Sequence, residues 1–141
     1  MSLIRDDDEA CLVELHAQGS ELLERYRELL DDEAAPPALA GPLRDVAEAR
    51  GPQLAALAER LRARDVLPSA GDPDRAFVQV LGDLVGAEAG TLADRLVEAE
   101  SRWADTLADA RAIDWSADDR AALEALARHI ESSRQRFADA R

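Results

Sequence analysis

The 141-residue chain contains no Lys and no Asn, a single Cys, three Ile and five aromatic side chains. With one cysteine there is neither an internal disulfide nor a thiolate-rich metal site, and Cys11 reads as an ordinary small side chain. The shortage of Ile and aromatics, and the lack of any alternating Val, Ile, Thr or Tyr run, exclude a sheet protein. No apolar run approaches the roughly 20 residues of a membrane span. The start, Met1 to Asp8, lacks the basic-then-apolar layout of a signal peptide, so a cytoplasmic protein without membrane association is expected. There is no Gly-rich phosphate loop, nucleophile elbow or Ser-His-Asp ordering. The run Asp6-Asp7-Asp8-Glu9 has neither the spaced ligands nor the central glycine of a calcium loop; it suits the positive end of a helix dipole.

What is present is helical material. Ala and Leu supply 49 residues, and 30 acidic side chains face 17 cations, all Arg, for a net charge of −13. A nucleic-acid partner needs a cationic stripe, and here most Arg residues stand beside Asp or Glu, so no nucleic-acid binding is expected. Breaks fall at Ala34-Ala35-Pro36-Pro37, at Leu67 to Pro73, between Gly86 and Gly90, and at Asp114-Trp115-Ser116. They leave helices over about 9–33, 37–64, 73–86, 91–112 and 117–139. Asp72-Pro73, Thr91-x-x-Asp94 and Ser116-x-x-Asp119 read as helix starts. At 100° per residue each long helix carries one apolar stripe, as a four-helix bundle requires. The expected fold is therefore all-α, one domain over 1–141, with an acidic lead-in at 1–8 and a crossover over 65–90 carrying a short helix. Gly51-Pro52 predicts a kink or a restart in the second helix, because proline removes a hydrogen bond there.

Certain positions carry a likeness. They are Leu12-x-x-Leu15 with Tyr26, Ala49-Arg50 followed by Leu57, Val66-Leu67-Pro68 before the crossover, Glu98-Ala99-Glu100, and Glu131. On these residues, over roughly 12–138, the chain resembles an uncharacterised bacterial domain-of-unknown-function branch of the ferritin-like superfamily. The resemblance implies a left-handed four-helix bundle; metal-binding members would use carboxylates from each helix and Glu-x-x-His pairs. Here Val13 stands three residues before His16 and Leu126 three before His129, so neither pair is present. Glu131-Ser132-Ser133-Arg134 occupies the place of one such pair, which would put a permanent cation near the metal position.

Arg50 and Arg134 fall inside apolar stripes, where an unpaired guanidinium is costly, so each needs an anion or an opening to water. With Glu100 and Glu131 at the edge of the core, the expected buried polar cluster is Tyr26, Arg50, Glu100, Glu131 and Arg134. His16 reads as a packed side chain at a stripe edge and His129 as a solvated surface residue. Trp103 reads as core, and Trp115 with Ile113 as a hydrophobic staple on the last helix.

The function expected from these residues is a non-catalytic, metal-free and cofactor-free bundle acting by protein-protein contacts or self-association. Phe77, Val80, Leu81 and Leu84 on the crossover helix are the candidate interface of a homodimer, or of a protein partner. Two alternatives stand beside it: a di-metal protein handling iron or peroxide through Glu100 and Glu131, and a small-anion module lined by Arg50 and Arg134.

Overall fold

The computed structural model describes residues 7–68 and 89–140. They form four α-helices, α1 (Asp7–Asp31), α2 (Pro37–Arg62), α3 (Ala89–Arg111) and α4 (Ala117–Asp139), and no strand is found among them. The expected helix over 73–86 lies outside the described residues, as do Phe77, Val80, Leu81 and Leu84.

Local chemistry accounts for the helix ends. Pro36 and Pro37 open α2, where a missing N–H costs nothing because the first turn has no acceptor for it. Ser116 caps α4, its hydroxyl accepting from the Asp119 N–H at 3.3 Å, so the Ser-x-x-Asp signal operates as expected. The Thr91-x-x-Asp94 signal does not: Ala89 and Gly90 are already helical, so Thr91 lies within α3. α1 and α2 close alike. The Ala34 N–H reaches the Leu29 carbonyl at 3.0 Å and the Val66 N–H the Leu61 carbonyl at 2.9 Å. Glu33 (φ 51°) and Asp65 (φ 60°) take the left-handed conformation that such a closure demands and that glycine usually supplies.

Of the kink or restart expected at Gly51-Pro52, the restart does not occur: α2 continues from Pro37 to Arg62 with Pro42 and Pro52 inside it. Pro52 and Glu48, the residue whose carbonyl loses its donor, are both exposed, so water can take that hydrogen bond.

Side-chain contacts give the helix directions. One level of the bundle holds Tyr26, Arg50, Glu100 and Phe137; the next holds Gly19, Leu54 and Trp103; and Arg60 meets Asp119 near one end. Numbers rise together along α2 and α3 and fall along α1 and α4, so α2 and α3 run one way and α1 and α4 the other. Each helix packs on two antiparallel neighbours; the backbones of α1 and α4, and those of α2 and α3, lie across the diagonals and meet through long side chains such as Tyr26 with Phe137 and Arg50 with Glu100.

The core is Leu-rich: Leu12, Leu15, Leu22, Leu39, Leu43, Leu61, Leu96 and Trp103 are all essentially sealed. Trp103 donates its indole N–H to the Leu15 carbonyl at 2.8 Å. That approach needs Gly19, since a Cβ there would stand 2.3 Å from Trp103 Cζ2 and 2.8 Å from Leu54 Cδ2. No helix among the described residues is long and apolar enough to cross a membrane.

Candidate functional site

The most unusual feature of the interior is a charged one. Arg50 and Glu100, both 0 % exposed, face each other across the bundle from α2 and α3. Arg50 reaches the core because it follows Val46 and Ala47 on the buried face of α2, one turn before Leu54. Its two terminal nitrogens grip both Glu100 oxygens, with Nη1 2.7 Å from Oε2 and Nη2 bonded to Oε1. The Tyr26 hydroxyl donates to Oε2 at 2.7 Å from α1. From α4, His129 Nε2 accepts from Arg50 Nε at 3.0 Å. Ser133 Oγ lies 3.4 Å from Nη2 and donates its own proton to the His129 carbonyl at 2.8 Å. All four helices therefore meet at one guanidinium.

Two rings complete the enclosure. The Arg50 Cζ atom lies 4.7 Å from the Trp103 ring centroid and 5.5 Å from that of Tyr26, within cation–π range. Phe137 meets Tyr26 edge to face at 5.6 Å. The electrostatics follow from this packing. Burial opposes the charge on Arg50, but the Glu100 carboxylate beside it prevails and holds the guanidinium above its ordinary pKa. Burial and the same carboxylate push the Tyr26 hydroxyl well up. Burial, aided by the Arg50 charge, lowers the His129 ring to about 4. Tyr26 is thus a neutral donor and His129 a neutral acceptor at ordinary pH.

Of the five residues expected to cluster, the fold brings together Tyr26, Arg50 and Glu100. Glu131 and Arg134 are elsewhere: they pair with each other at 3.1 Å on α4, with side chains 70 % and 37 % exposed. The i,i+3 spacing gives Arg134 a local anion for Nη1, although its buried Nε has no partner, and the side chain does not join the centre. His129 corrects the reading in the other direction. It lies half-buried against α2, because the fourth helix turns a wider arc inward than its Leu and Ile stripe indicates. Ser133 was missed although it falls on the apolar stripe, three residues after Ile130 and four before Phe137; a small hydroxyl at such a position does not announce its partner.

A second polar group closes the bundle end. Asp119, 3 % exposed, accepts from Arg60 Nε and from Arg64 Nη2, each at 2.7 Å. Trp115 is buried there with Arg64 over its ring at 5.0 Å, and donates to the Ala110 carbonyl at 2.7 Å. Trp115 belongs to the same apolar cluster as Leu123 of α4, and Arg120, one turn into α4, donates to the Trp115 carbonyl at 3.0 Å. His16 is half-buried on α1, its pKa lowered by burial in spite of a backbone hydrogen bond to Pro68.

As for what the cluster can do chemically, Glu100 and His129 supply one carboxylate and one imidazole, and both are committed to Arg50. Among the described residues, no three His, Cys, Asp or Glu side chains converge to hold a metal. Two surface hollows among the described residues lie apart from the cluster. One of about 420 Å³ is bounded by Ala38, Pro42, Arg136, Asp139 and Ala140, and one of about 100 Å³ by residues around Trp115. No family model, curated protein or solved structure matches this chain.

Proposed function

We propose that the protein is a non-catalytic bundle of ferritin-like topology that leaves its centre free of metal and acts through surface contacts with a protein partner or a second copy. One observation carries the reading: the centre, where the four helices converge, is filled by a guanidinium whose donors are taken by Glu100, His129 and Ser133. A fixed cation at that point repels a dication and occupies the ligands a dication would need. The parallel course of α2 and α3, with a long connection between them, supports the ferritin-like topology.

The same geometry weighs against a small-anion site. Arg50 has Glu100 as its anion already, and Arg134 stands on the surface with Glu131. Among the described residues Leu67 is the large apolar side chain left exposed, so the four helices offer no greasy face. Self-association through Phe77, Val80, Leu81 and Leu84 remains the reading for the connection.

Protein purified from iron-supplemented cells should carry far less than one iron per chain by elemental analysis; about two per chain, as in the di-iron class, would overturn the proposal. Light scattering at high salt tests the surface reading, because salt screens repulsion beyond about 10 Å at 0.1 M. A dimer there that Phe77→Asp converts to a folded monomer supports the homodimer.

A further inference from the structure

The rim of the buried cluster is where the interior can respond to its surroundings. The Arg50 Nε–H points at His129 Nε2 from 3.0 Å. A guanidinium does not give up its proton, so Nε2 is the acceptor and the ring is neutral, with its own proton on Nδ1. Adding a proton to Nε2 would set two N–H groups and two positive charges against each other. Arg50 has no room to retreat: Glu100 holds both of its terminal nitrogens, and the Trp103 and Tyr26 rings lie against it. The imidazole, half-buried at the edge, has a way out to water.

We propose that His129 is an acid-sensitive latch on the seam between α2 and α4: on taking up a proton the ring leaves Arg50 and turns to water, loosening α4 while the Arg50–Glu100 pair stays closed. The groups facing the ring are few. α2 presents the Arg50 cation. From α3, Glu100 lies on the far side of that guanidinium and is shared with Tyr26 of α1. On α4, the Ser133 hydroxyl bonds the His129 carbonyl, not the ring. Among the described residues no carboxylate contacts the ring to stabilise an imidazolium.

The direction of the response follows from linkage. The folded ring titrates at about 4, below the ordinary 6.5 of an unfolded histidine. Between those values the unfolded chain binds the proton and the folded chain does not, so stability falls as the pH drops from about 6.5 towards 4 and is flat above. His16, also lowered by burial, adds a loss of the same sign, so the test must isolate His129.

His129→Gln does so, because a Gln side chain can accept from Arg50 Nε without titrating. The folding equilibrium constant from urea unfolding is measured for wild type and variant at pH 6.5 and 4.5, with hydrogen exchange of α4 amides corrected for intrinsic rate. Wild type should lose at least about tenfold more than the variant, a fold-change set by the gap between the ordinary 6.5 and the lowered folded value after solvent screening. Its α4 amides should open faster at the lower pH than those of α1. Equal losses in the two proteins would overturn the latch. If the variant does not fold, the wild-type ring is followed by NMR: titration below pH 6 in step with the amide signals of α4 supports the proposal, and titration at pH 6 or above, or α4 signals that do not move, overturns it.

Discussion

Glu100 and Asp119 are both buried carboxylates held by arginines of the second helix or its end, yet their settings differ. Glu100 and its partner Arg50 are sealed on all sides, whereas Arg60 and Arg64 each keep 29 % of their side chains in water around Asp119. A sealed pair has lost all its hydration, so its members depend wholly on each other and on Tyr26, His129 and Ser133. A pair at the bundle end can exchange a lost partner for water. The difference shows that the role of an ion pair follows from what remains when half of it is removed.

The largest effect should come from breaking the sealed pair on one side. Glu100→Ala leaves a buried guanidinium uncompensated and should cost about 3–5 kcal/mol, seen as a large fall in melting temperature; Arg50→Ala should cost about 3 kcal/mol. Replacing both residues by Leu should recover most of that loss, since an apolar pair leaves no charge stranded. A single variant that melts like wild type would mean that water reaches the site.

Next in size is a packing change one level away. Gly19→Ala drives a methyl into Trp103 and Leu54 and should cost about 1–3 kcal/mol, with a shift in Trp fluorescence. The end pair should prove weaker than the sealed one. Asp119→Ala should cost about 1–2 kcal/mol, from two part-solvated ion pairs and the favourable helix N-terminus. Burial works to raise the Asp119 pKa, but hydrogen bonds from Arg64 and Arg60 outweigh it and the carboxyl titrates below 3.8. Its contribution is therefore fully present above about 3.8 and is lost as pH falls through the lowered folded value. Urea unfolding below pH 4 should show wild type and Asp119→Ala converging. The smallest effects lie at the surface. Asp65→Gly relieves a left-handed residue and should add about 0.5–1 kcal/mol, while Arg134→Ala should stay within about 0.5 kcal/mol.

Helix content, the breaks near Pro36 and Ser116, the Leu-rich stripes and the position of Arg50 on one of them were all legible in the residues, because each depends on spacing along a single helix. So was the need of Arg50 for an anion. Which anion answered was not: Glu100 lies 50 residues away and Glu131 looked equally placed, and only the approach of α3 to α2 chose between them. His129 was misread for the same reason. A helix buried by two neighbours turns inward an arc wider than its apolar stripe, and a neutral imidazole can enter that arc when a donor waits there. The sequence by itself determined the secondary structure and the residues that could not remain unpaired, since propensity, capping and periodicity are local. The tertiary structure decided the partners, because four helices that each bury one face can meet in several registers. Only the assembled bundle brings Tyr26, Arg50, Glu100 and His129 into one cluster.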